Sequence, residues 1–93
     1  MAHAREHLEH RLLLALREEV KALEDPRLFM VSLLRGELSP DGRVYTVYID
    51  ALFSPEEALR ALEGASERIL GGLARRVRLK HLPRLEWRYA GAD

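Results

Sequence analysis

The sequence predicts an α+β domain in which helices cover one face of a three-stranded sheet. Three observations point there. Apolar residues recur at helical spacing over 4–24, with Leu12, Leu13, Leu16, Val20 and Leu23 on one face. Two β-rich runs flank Ser39-Pro40-Asp41-Gly42, where proline and glycine together signal a tight turn. Beyond residue 54 a long helical pattern ends in a short alternating run, Arg84 to Tyr89.

Each element has a local cause. Pro26 disfavours helical backbone for Asp25, so the first helix must end there. Residues 28–38 read as a strand, although Leu34 blurs the alternation of Val31, Ser32 and Leu33. Residues 43–53 form the second strand, rich in β-branched and aromatic residues from Val44 to Ile49, and the short turn makes the pair an antiparallel hairpin. Ser54-Pro55-Glu56-Glu57 reads as a helix start, with Ser54 as cap and Glu57 completing a capping box. The pattern that follows runs through Leu59, Leu62, Ile69, Leu73 and Val77, but Gly64 interrupts it and Gly71-Gly72 weakens it. A kink at Gly64, Ala65 and Ser66 is therefore expected, giving two helices. After Pro83, Leu85, Trp87 and Tyr89 alternate with Arg84, Glu86 and Arg88 as a third strand. The order is α-β-β-α-α-β in one domain spanning 1–93, and Trp87 and one of Tyr45 and Tyr48 are expected in the core.

Composition excludes several function classes. There is no cysteine, hence no disulfide framework or thiolate metal site. No apolar run approaches the ~20 residues of a membrane span, and no signal peptide is visible, so a cytoplasmic protein without membrane contact is expected. Neither a nucleophile elbow nor a glycine-rich phosphate loop occurs, so the residues predict no enzyme, no cofactor and no small-molecule substrate. His3, His7 and His10 share a helical face and could hold a metal, but without a recognisable zinc motif they read as a solvated N-terminal turn.

Charge is the informative quantity. The chain is formally neutral, yet Arg68, Arg75, Arg76, Arg78, Lys80, Arg84 and Arg88 face one acid, Glu86, in the last third, a local balance of +6. The remainder therefore carries −6. Arginine outnumbers lysine 13 to 2, which suits bidentate phosphate contact and equally suits genomic base composition. These residues with His81 are the candidate RNA-binding set, a stripe able to follow a phosphate backbone with salt-sensitive affinity. An alternative is a protein–protein adaptor that uses the charge asymmetry, and a weaker one is metal binding through the histidines.

Several stretches resemble the ribosome-binding factor A family of bacterial ribosome-assembly factors, whose domain is of the type II KH-like class. They are Asp25-Pro26-Arg27-Leu28, Glu37-Leu38-Ser39-Pro40-Asp41, Val47-Tyr48-Ile49, Glu57-Ala58-Leu59, Ala65-Ser66 through Arg76-Val77-Arg78-Leu79, Leu82-Pro83-Arg84-Leu85 and Tyr89. They follow the family's order over nearly the whole chain. The resemblance implies a non-enzymatic factor that binds the free small (30S) subunit late in assembly, and the chain itself is expected to be a monomer. It further implies a role in maturation of 16S rRNA, with importance in the cold. The family lacks the G-x-x-G clamp of ordinary KH domains and has an Ala-x-Gly kink instead. Here Glu67 stands where that glycine falls, and Gly64 is the residue able to supply flexibility.

Overall fold

Alternation along the second strand decides how the layers stack. In this computed structural model, which describes residues 2–91 and the side chains of residues 4–91, Tyr45, Val47, Ile49 and Ala51 point inward and are buried. They belong to β2 (Val44–Ala51), the central strand of a sheet ordered β1-β2-β3. β1 (Val31–Leu38) pairs with it antiparallel and β3 (Arg84–Tyr89) pairs with it parallel. Two helices, α1 (Ala2–Leu23) and α2 (Pro55–Arg76), cover the inward face. Leu12 and Leu16 of α1 and Leu62, Ile69 and Leu73 of α2 close the core over the strands.

The hairpin follows its turn chemistry. Gly42 has φ +75, and its N–H donates to the Ser39 carbonyl at 2.9 Å. Ser39 Oγ donates to Asp41 Oδ1 at 2.7 Å and accepts from the N–H groups of Arg43 and Val44. Strand register shifts between Leu33 and Arg35, so exposed Leu34 is the extra residue of a bulge, which explains its break in the alternation. At Gly36 a Cβ would collide with the Tyr45 phenol. Its absence lets the buried ring cross β1 and donate to the Glu9 carbonyl at 2.7 Å. Burial, helped by the Glu9 charge, pushes the Tyr45 phenol pKa up.

α1 lies along the outer edge of β1 and occupies its backbone groups. Arg17 donates twice to the Leu33 carbonyl, at 3.1 and 2.8 Å, and Glu9 accepts from the Leu38 N–H at 2.7 Å. Arg5 donates to the carbonyls of Leu38, Ser39 and Pro40. Between α1 and β1 the chain makes a 3-10 turn, Pro26–Leu28, capped by Asp25, whose carboxylate accepts from the Arg27 N–H at 2.9 Å. The Arg27 side chain also donates to it, and these bonds hold the Asp25 pKa below its ordinary value.

Two expectations are corrected. The stretch from 55 to 76 is one continuous helix through Gly64, Ala65 and Ser66, so the order is α-β-β-α-β, and there is no break. Each interior glycine costs about 1 kcal/mol relative to alanine. Burying each of Leu62, Ile69 and Leu73 returns about 1.5–3 kcal/mol, so the continuous apolar face wins. Ser66 reinforces it: its hydroxyl donates to the Leu62 carbonyl and accepts from Trp87 Nε1, both at 2.9 Å. The second correction concerns Ser54, which has φ 30 and makes no side-chain cap bond. The chain turns from β2 into α2 through this left-handed residue, and its hydroxyl is not brought to the helix N–H groups. Pro55 and the acids Glu56 and Glu57 do occupy the first turn.

Candidate nucleic-acid interface

Helical spacing builds the most regular basic feature. Arg60, Gly64, Arg68, Gly71 and Arg75 follow one another at intervals of four, four, three and four along α2 and therefore share a stripe. All five are exposed, and a Cβ placed at Gly64 or Gly71 would meet nothing within 4 Å. Three guanidiniums thus alternate with bare backbone over about 22 Å of helix. A chain of phosphates can approach such a surface closely while each arginine offers a planar pair of donors. At one end of the stripe, Arg60, Arg68 and Arg27 line a notch of about 370 Å³ beside Gly64 and Ala65.

The helix ends where its charge suits its dipole. Arg75 and Arg76 occupy the last turn, and the Val77 N–H donates to the Leu73 carbonyl at 2.9 Å before the backbone becomes extended. Exposed Arg78, Lys80 and His81 follow in the loop. Lys80 and His81 meet Arg43 at the rim of a cleft of about 610 Å³ floored by Leu8, Leu12, Leu38 and Leu79. The Arg84 N–H donates to the Arg43 carbonyl at 2.8 Å, which brings these distant segments together.

The sequence-predicted cations fall into two groups. Arg68, Arg75, Arg78, Lys80 and His81 make no ion pair among the described residues. Arg76 donates through Nε to Glu19 of α1, and this bond raises its pKa. Gly72 makes the contact possible, because a Cβ there would strike the Glu19 carboxylate. Arg84 and Arg88 lie on the outer sheet face and share Glu86, at 3.0 and 3.6 Å.

The aromatic residues divide as alternation requires. Trp87 is buried and tied to Ser66, and Tyr45 is buried, whereas Tyr48 faces outward beneath Arg35, whose guanidinium carbon lies 4.1 Å from the ring centroid. His7 and His10 are exposed on α1, the side chain of His3 lies outside the described residues, and no group of three metal-ligating side chains occurs among the described residues. No described helix is long and apolar enough to cross a membrane.

Sequence reasoning misses Arg60 and Arg43. The spacing of Arg60 is present in the chain, but an expected break at Gly64 cuts the stripe in two. No local signal marks Arg43 as a neighbour of Lys80 and His81, which lie some forty residues away, and its ion pair is local, to Asp41 at 3.9 Å.

Two helices on a mixed three-stranded sheet, with a basic stripe along the crossover helix, define a KH-like α+β domain with a cationic surface. A family model for ribosome-binding factor A matches residues 2–90. The chain is 50% identical over 95 residues to ribosome-binding factor A of Thermus thermophilus, covering 99% of this chain and 100% of that one. The crystal structure of a ribosome-binding factor A from the same organism superposes with a TM-score of 0.87 at 52% identity, covering 89% and 92% of the two chains. A homology model of the Thermus thermophilus factor, fitted into a cryo-electron-microscopy map of a 30S complex with ribosome-binding factor A, superposes at 0.80 with 48% identity, covering 95% and 98%. The chain belongs to the ribosome-binding factor A family.

Proposed function

We propose that this protein binds the free small ribosomal subunit in the cytoplasm as a single chain. There it aids late assembly and maturation of 16S rRNA, including at low temperature. It does so as a binding factor, without catalysis or a small-molecule substrate. The observation that carries this reading is the family match over residues 2–90, together with the 30S complex of its Thermus relative. The cationic surface supplies the chemistry. Arg68, Arg75, Arg78, Lys80 and His81 contact rRNA phosphates. Arg84 and Arg88 join them by exchanging Glu86 for phosphate, and Arg76 keeps the end of α2 against α1. Gly64, Ala65 and Ser66 lie beside this contact surface within the helix. Such a factor shifts an assembling subunit only by the difference in its affinity for two subunit states, so it must bind one conformation preferentially.

Sedimentation through sucrose gradients tests the reading. The protein is expected to travel with free small subunits and to leave them as salt rises. Failure to co-migrate at low salt refutes it.

A further inference from the structure

A phosphate contact needs no apolar floor, yet the cleft beside the loop after α2 has one. Leu8 and Leu12 of α1, Leu38 of the hairpin and Leu79 of the loop form it, and Leu82, 47% exposed, lines it too. Its volume of about 610 Å³ falls within the ~300–1,000 Å³ of small-ligand sites.

The charges around it come from three sides. Arg43 lines it from the hairpin, and Lys80 and His81 line it from the loop. On α1, Arg5 and Arg11 stand three residues from Leu8 and share its helix face, whereas Glu6, two residues away, does not. Asp41 is the one acid in the lining among the described residues. The turn holds its carboxylate, which accepts from Ser39 Oγ at 2.7 Å and from the Arg43 N–H at 3.1 Å, with Arg43 Nε 3.9 Å away. Glu9 and Glu37 line a separate notch with Ser39 and Pro40. The balance of the rim is therefore positive, and Arg75 and Arg78 lead to it from the stripe on α2.

Such a cleft fits an apolar group that arrives with negative charge on either side. In RNA that group is an unstacked base between two phosphates. His81 and Arg43 add an imidazole and a guanidinium, the planes on which exposed bases stack. A duplex keeps its bases inside the stack and could offer this rim only phosphate. We propose that the cleft takes one unstacked base of a single-stranded rRNA segment, with the base against Leu79 and Leu82 and its neighbouring phosphates on Lys80 and Arg43. The proposal rests on the small-subunit reading above and deepens it: the RNA at this contact is single-stranded.

Methyl NMR of the full chain, labelled at leucine, tests the base. The probes are a single-stranded RNA heptamer of adenosines, a blunt RNA duplex and inorganic tripolyphosphate. The heptamer alone is expected to move the Leu79 and Leu82 methyl resonances, through the ring current of the base. Unmoved methyls, or equal movement with duplex or tripolyphosphate, overturn the proposal. On purified free small subunits, Leu82→Ser should weaken binding about fivefold and leave the salt dependence as steep as before, since no cation is removed. Undiminished affinity of that variant overturns the proposal. Photocrosslinking from p-benzoylphenylalanine in place of His81 should label rRNA, and an adduct on a subunit protein instead overturns it. Each of these failures leaves the small-subunit reading standing while the unmodified protein co-sediments with free small subunits. If the unmodified protein does not co-sediment at low salt, both fall.

Discussion

Neutralising the cations at the end of α2 and in the loop beyond it separates phosphate contact from structural charge. Arg75, Arg78 and Lys80 are exposed and make no ion pair among the described residues. Replacing all three by glutamine therefore removes positive charge without leaving an unpaired partner. Each phosphate contact contributes about 0.7–0.9 to the slope of log affinity against log salt, so losing three lowers the slope by ~2–2.7. Between 50 and 200 mM salt each contact accounts for a ~3-fold change, and the triple variant should lose about 20–40-fold less affinity than the parent across that range. Binding to purified free small subunits, measured at several salt concentrations, gives the slope directly. Thermal stability should change little, because exposed substitutions usually stay within about 0.5 kcal/mol. Arg76→Gln provides the contrast: it deprives half-buried Glu19 of its donor and should lower Tm while altering the slope less. A triple variant that folds normally and keeps the parental slope would refute the phosphate assignment for this stretch.

Gly64→Ala should raise stability by about 0.5–1 kcal/mol, because the site is open and helical; a fall in Tm would show that the helix bends there in solution. The same variant should weaken subunit binding if RNA backbone lies against the bare stripe. Gly36→Ala should destabilise by ~1–3 kcal/mol, because its Cβ displaces the buried Tyr45 ring; an unchanged denaturation midpoint would contradict that packing. Asp25 and Asp41 titrate below the ordinary aspartate value, Asp25 through the Arg27 side chain and Asp41 through the Ser39 hydroxyl first. Depressed folded-state values mean a contribution present above about pH 4 and lost as pH falls through the folded pKa. Asp25→Asn should thus flatten the acid limb of a stability profile below about pH 4, and an identical limb would dismiss this linkage.

Local rules carry much of the fold. The Pro-Asp-Gly turn makes the hairpin readable, and alternation buries Tyr45 and Trp87 while turning Arg84, Glu86 and Arg88 outward. Where tertiary burial opposes local propensity, the sequence misleads. Gly64 reads as a break because a window of sequence shows the cost of a glycine but not the leucines and isoleucine that α2 presses into the sheet. Ser54 reads as a cap because its spacing from Glu57 is right, yet cap geometry depends on the angle at which β2 delivers the chain. The candidate surface is legible as charge along the chain. Its division into free and engaged cations is not, since Arg76 meets Glu19 from 57 residues away. Arg84 and Arg88 are readable as neighbours of Glu86 on one strand face, because i and i+2 residues share a side.

The seal that α1 places along β1 has a consequence for the fate of the unfolded and half-folded chain. A three-stranded sheet has two borders, and each is a template on which a stray strand can grow. Arg5, Glu9 and Arg17 close one border with bonds drawn from the first helix. Along the other, β3, Arg84, Glu86 and Arg88 place charges of both signs. Detachment of the first helix would therefore do more than cost contacts. It would uncover an adhesive edge beside exposed Leu34, and conditions that loosen α1 should lead to intermolecular strand pairing before they lead to a fully unfolded chain.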